Sequence, residues 1–77
     1  MNWIAHVSLK LNNNWDWSQI KKSPEVDEVW STQGDWDAMV KLKPNIDNDN
    51  LEKLISNWRT KNWVSQSHTW WAKEIVS

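Results

Sequence analysis

Gly34-Asp35-Trp36-Asp37 sets two carboxylates on either side of an indole, directly after the only glycine of the chain. Carboxylates at this spacing offer acceptors to an ammonium group, while the amides around a glycine and the hydroxyls of Ser31 and Thr32 offer donors to a carboxylate. The same residues also make an ordinary turn, in which an aspartate bonds its own backbone. Both uses stay open on this segment alone. The remaining reactive groups point to less. His6 and His68 lack a third ligand at recognisable spacing, which is a weak metal pattern. There is no cysteine, so thiol nucleophiles, disulfides and zinc-thiolate sites are excluded, and a reducing compartment is allowed. No serine, histidine and carboxylate are joined by a nucleophile motif, and no glycine-rich phosphate loop occurs. Asp47 and Asp49 stand beside a helix start, where capping explains them.

The elements that must position these groups are legible from periodicity. Trp3, Ala5, Val7, Leu9 and Leu11 alternate with Ile4, His6, Ser8 and Lys10, the period of a strand with one apolar face. Asn12-Asn13-Asn14 ends it, and Asn14 is placed to cap a short helix over Trp15–Ser23, stopped by Pro24. Val26–Thr32 reads as a second strand and Trp36–Lys43 as a third, joined in a hairpin whose turn needs positive φ at Gly34. Asp49 and Glu52 have the spacing of a capping box, and Leu51, Leu54, Ile55 and Trp58 follow at i, i+3, i+4 and i+7. A second helix should therefore run to near Lys61-Asn62. Trp63–Ala72, rich in Thr, Ser, Val and Trp, reads as a fourth strand.

Composition bounds the rest. The 77 residues make one domain over 1–77, with 9 Lys plus Arg against 10 Asp plus Glu and a net charge of -1. That balance is no footprint for a phosphate backbone, so direct nucleic-acid binding is not expected. No apolar run suits a signal peptide or a membrane span. The 9 Trp with no Phe or Tyr have three candidate origins: a lineage bias, a functional aromatic surface, or engineered replacement.

The order β-α-β-β-α-β predicts an α+β ferredoxin-like sandwich, a four-stranded antiparallel sheet in the order 4-1-3-2 with both helices on one face. The other face must meet water or another subunit, and indoles projecting there predict a dimer. Trp70 and Trp71 should point to opposite faces, one toward the helices and one toward that interface.

The stretch from Ser23-Pro24 through Gly34-Asp35-Trp36-Asp37 to Leu42 resembles the effector-binding, or RAM, domain of the Lrp/AsnC (feast/famine) transcriptional regulators. In that family a proline-containing helix exit leads to a strand ending in a small polar pair, then Gly-Asp-Tyr-Asp and an apolar strand. Here Trp36 takes the tyrosine place, so its hydroxyl is lost. Val64-Ser65-Gln66-Ser67-His68-Thr69 is similar to the family's last strand, with Ser67 and Thr69 at its hydroxyl positions. The likeness covers nearly the whole chain. Its first helix is shorter than the family's, and the loop before it lacks the usual Pro-Gly. No helix-turn-helix precedes the first strand, as in the stand-alone form of the domain.

The resemblance implies a cytoplasmic homo-oligomer, a dimer or higher, that binds an amino acid or related small effector between subunits. It needs no cofactor, metal or membrane, and reaches DNA only through an Lrp/AsnC-type partner. The implied ligand site comprises Ser31, Thr32, Gly34, Asp35, Trp36, Asp37, Ser67 and Thr69. Two alternatives stand beside it: an assembly module or engineered Trp-rich variant with no effector, and a small cofactor-independent monooxygenase using Trp, His and Asn. The absence of a base held in a recognisable cleft speaks against the enzyme.

Overall fold

The computed structural model describes residues 3–73 and 75. Six elements follow in the order β1 (Ile4–Leu11), α1 (Trp17–Lys21), β2 (Val26–Ser31), β3 (Ala38–Leu42), α2 (Asn48–Thr60) and β4 (Val64–Ala72). The strands form one antiparallel sheet in the order β2-β3-β1-β4, which is the expected ferredoxin-like topology. Among the described residues no helix is long and apolar enough to cross a membrane.

Register divides the sheet into two faces. Residues directly opposite in an antiparallel pair project to the same side, so Val7 with Val40 and Thr69, and Leu9 with Ala38 and Ser67, form rows on one face. Ala5, Val7, Leu9, Ala38, Val40 and Leu42 are fully buried there. The helices cover them through Ile20 of α1 and Leu51, Leu54, Ile55 and Trp58 of α2. Each fully buried Val, Leu or Ile side chain stabilises the fold by about 1.5–3 kcal/mol, and each alanine by less. His6, Ser8, Lys10, Met39, Lys41, Trp30, His68 and Trp70 occupy the alternate, helix-free face. Trp70 stands opposite His6 and Trp71 opposite Ala5, so the adjacent indoles split between the faces as expected.

Element ends differ from the sequence expectation by one or two residues, and at the starts of α1, β3 and α2 the reason is visible. The first helix is shorter than Trp15–Ser23, and its cap is Asp16 rather than Asn14. Asn14 instead donates its Nδ2 to the Lys61 carbonyl at 3.0 Å. Trp15 is drawn into edge-on contact with Trp17, Trp58 and Trp63 at ring separations of 5.4, 6.3 and 6.4 Å. Asp16 accepts from the Ser18 hydroxyl at 2.7 Å and the Ser18 amide at 3.0 Å. The hydroxyl hydrogen bond is the largest of the effects that hold its carboxyl below the ordinary value.

The third strand starts at Ala38 rather than Trp36, because Asp37 turns its polar groups onto β1. At α2 the cap is Asp47, not Asp49: its carboxylate accepts from the Asn50 amide at 2.7 Å. Ile46 packs against the core just before this cap and Leu51 is buried just after it, the positions of a hydrophobic staple. Gly34 has φ 108°, the left-handed region its turn was expected to need.

Candidate functional site

The β2–β3 connection is built by four hydrogen bonds. The Thr32 amide donates to the Asp37 carbonyl at 3.0 Å and the Thr32 hydroxyl to the Trp36 carbonyl at 2.8 Å. The Asp37 amide donates to the Leu9 carbonyl at 2.8 Å, and the Leu11 amide to the Asp37 carboxylate at 2.9 Å. Thr32 and Asp37 therefore close the hairpin and tie it to the end of β1. Asp35 differs. It is exposed, and among the described residues its carboxylate has no hydrogen-bond or ion-pair partner, so it remains an acceptor at the tip beside Gly34.

Trp36 folds back onto the helix-free face. Its ring lies 6.4 Å from that of His68, and Lys10 Nζ stands 5.9 Å above it. His68 meets Trp70 nearly edge-on at 4.3 Å, and the Trp70 indole N–H donates to the Ser8 hydroxyl at 3.2 Å. Ser8 is 3% exposed although it sits on the face the helices leave open. The indole of Trp70 is its hydrogen-bonded lid. With Trp30 and Met39 alongside, this face carries an aromatic patch in which Trp30 and Trp70 are 42% and 52% exposed.

The remaining candidate residues lie on the other side of the sheet. Ser31 pairs with Ala38, Ala38 with Leu9, and Leu9 with Ser67, so Ser31 and Ser67 end one row of the helix-covered face. Three strand spacings separate them, about 14 Å. Thr69 stands next along β4, opposite Val7. One protomer thus gathers Thr32, Gly34, Asp35, Trp36 and Asp37 in the hairpin, and holds Ser31 at one sheet edge and Ser67 and Thr69 at the other.

The sequence pattern did not single out Arg59, whose Nη2 donates to the Ser67 hydroxyl at 2.8 Å. Its signal was present in the helical spacing, since Arg59 follows Ile55 by four residues and so flanks the apolar stripe of α2. Nor did the sequence reading see the aromatic role of His68. His6 and His68 do lie on adjacent strands, yet among the described residues no three His, Cys, Asp or Glu side chains stand together as a metal site.

No protein-family model matches this sequence, and no curated protein matches it. Solved structures do match the fold. A transcriptional regulator from Neisseria meningitidis, solved as a complex with L-Met, superposes with a TM-score of 0.77 at 12% identity, over 97% of this chain and 52% of that one. An AsnC family transcriptional regulator from Agrobacterium tumefaciens gives 0.75 at 16% identity, over 99% of this chain and 53% of the regulator. The chain shares the fold of AsnC-family transcriptional regulators. It spans about half the length of these two regulators. A protein from Thermus thermophilus matches nearly end to end, 97% of this chain and 98% of that one, with a TM-score of 0.72 and 21% identity. The AsnC-type fold thus also occurs in a chain of this size.

Proposed function

We propose that this chain is an effector-sensing and oligomerisation domain of the Lrp/AsnC type, not an enzyme. It binds an amino acid or related small molecule where subunits meet, and influences transcription through a DNA-binding partner of the same type. The observation that carries this reading is the uncovered sheet face, with its patch of Trp30, Trp36, His68 and Trp70, on a fold shared with regulators of which one was solved with L-Met. A second copy seated on that face buries the indoles and enlarges a core that is small at this chain length. The separation of Ser31 from Ser67 and Thr69 within one protomer supports a site completed by another subunit, with Asp35 as the free anionic acceptor for an ammonium group.

A ligand that touches two subunits stabilises whichever assembly offers the whole site. Light scattering on a sizing column, with and without a pool of free amino acids, therefore tests the reading. A dimer or larger assembly whose mass or thermal stability rises with the pool is expected. Asp35→Ala should weaken that response by about tenfold while leaving the assembly folded. Indifference to every amino acid would favour an assembly module, a second reading supported by the engagement of Thr32 and Asp37 in the hairpin's own hydrogen bonds. A monomer at all concentrations would overturn both.

A further inference from the structure

Both histidines of the chain stand on the helix-free face of the sheet. His6 lies opposite Lys41 on one side and Trp70 on the other, and His68 lies opposite Ser8. The His6 Nδ1 is 3.3 Å from the Ile4 carbonyl, which can only accept. Nδ1 therefore holds the proton of the neutral ring, and Nε2 is the nitrogen that takes up a second. The His68 ring meets the indoles of Trp70 at 4.3 Å and Trp36 at 6.4 Å. Among the described residues neither imidazole has a carboxylate within ion-pair distance.

The ionic neighbours of the two rings are lysines. β1 brings Lys10, whose Nζ stands 5.9 Å above the same Trp36 ring that meets His68. β3 brings Lys41, and β4 brings no ionisable group besides His68 itself. The carboxylates stand farther out: Glu28 and Asp27 belong to the edge strand β2, the first in register with Lys41 and the second 3.6 Å from its Nζ. In the hairpin that carries Trp36, Asp37 is turned onto the Leu11 amide and Asp35 is exposed at the tip. The helices lie on the other side of the sheet.

An imidazole changes charge between pH 5 and 8, where ordinary carboxylates and ammonium groups do not. In a single protomer a charged His68 is exposed to water and flanked by indoles, which attract a cation. A second copy seated on this face removes the water, and burying an unpaired charge costs far more than burying a neutral ring. The copy also brings its own Lys10, Lys41, His6 and His68, because a contact between two identical faces is self-complementary. Charging the imidazoles thus opposes association through lost hydration and through like charge.

We propose that His68 and His6 make this contact a pH switch: neutral imidazoles let the copies associate, and protonation drives them apart. The proposal rests on the reading of the open face as the place where subunits meet, and supplies the control of that contact. The assembly binds fewer protons than its separated protomers, so association strengthens as pH rises through the imidazole range and weakens as pH falls. Each excluded proton changes the association constant by up to about tenfold per pH unit. An effector site completed by another subunit is lost together with the contact.

Sedimentation velocity of the full chain at fixed concentration and ionic strength, from about pH 8 to about pH 5.5, tests the switch. The dissociation constant should rise about tenfold or more toward acid, with an unchanged circular dichroism spectrum. A variant with His6→Gln and His68→Gln should stay assembled with a flat profile, and His68→Arg, with its fixed charge, should sediment as a folded monomer even near pH 8. Imidazole proton resonances of the native chain give a readout that needs no variant, since the rings should take up protons at lower pH in a concentrated, assembled sample than in a dilute one. Equal midpoints in the two samples, or an assembly indifferent to pH, would overturn the switch and leave the subunit contact standing. Acid dissociation that persists in the double variant would overturn the assignment to the imidazoles. Monomers at every pH would overturn the contact and the switch together.

Discussion

The hydroxyl of Ser8 and the indole N–H of Trp70 form a partly buried pair on the face that the helices do not cover. Removing one member strands the other, and a buried polar group without a partner costs about 1–3 kcal/mol, whereas removing both is close to neutral. Trp70→Phe should therefore destabilise the domain by about 1–2 kcal/mol, and Ser8→Ala added to it should recover most of the loss. Urea unfolding of both single variants and the double variant at matched protein concentration measures the cycle; additive losses would show that the bond contributes nothing. Trp15 presents the reverse case, since its buried Nε1 has no partner among the described residues, although its ring meets three other indoles. At Trp15 the apolar ring stabilises the fold and the N–H is a cost, which fits an aromatic set drawn only from tryptophan.

The start of α2 offers two nearly equivalent caps, Asp47 with Asn50 and Asp49 with Glu52, and the structure uses the first. Asp47→Ala should cost about 1 kcal/mol, while Asp49→Ala, which removes only a favourable charge from the first turn, should cost about half that or less. Thermal unfolding of the two variants decides between the caps. The choice shows where sequence reading stops. The i, i+3, i+4, i+7 stripe of α2 and the centre of the β1 alternation (Ala5, Val7, Leu9) matched the buried residues, because burial there follows from period, whereas Trp3 at the end of that alternation is exposed and Ser8, off it, is buried. Element ends depend on contacts between distant segments: Asn14 reaches Lys61, Trp15 reaches Trp58 and Trp63, and Asp37 reaches Leu11. Such contacts leave no trace in local spacing. The hairpin end of the candidate site was legible for the same reason as α2, since turn chemistry is local. The partnership of Arg59 with Ser67 joins a helix to a strand and emerged only in three dimensions.

At the scale of the molecule, the two faces of the sheet have opposite fates. One is sealed by helices, and the other carries indoles around Met39 at its centre, opposite Ser8 and Trp30. If the open face is where copies meet, Met39→Glu places a charge in the middle of the contact without touching the helix-covered core. It should convert the assembly to folded monomers, seen as a fall in mass by light scattering with an unchanged circular dichroism spectrum. Retention of the assembly would move the contact to another surface. The unequal settings of the tryptophans also make the domain its own optical probe. Trp58, 1% exposed within the core, emits from an apolar site until the chain unfolds, whereas Trp30 and Trp70 emit from water until something covers them. A blue shift and loss of acrylamide quenching on concentrating the protein would thus report association, and a red shift on heating would report melting, both without an added label.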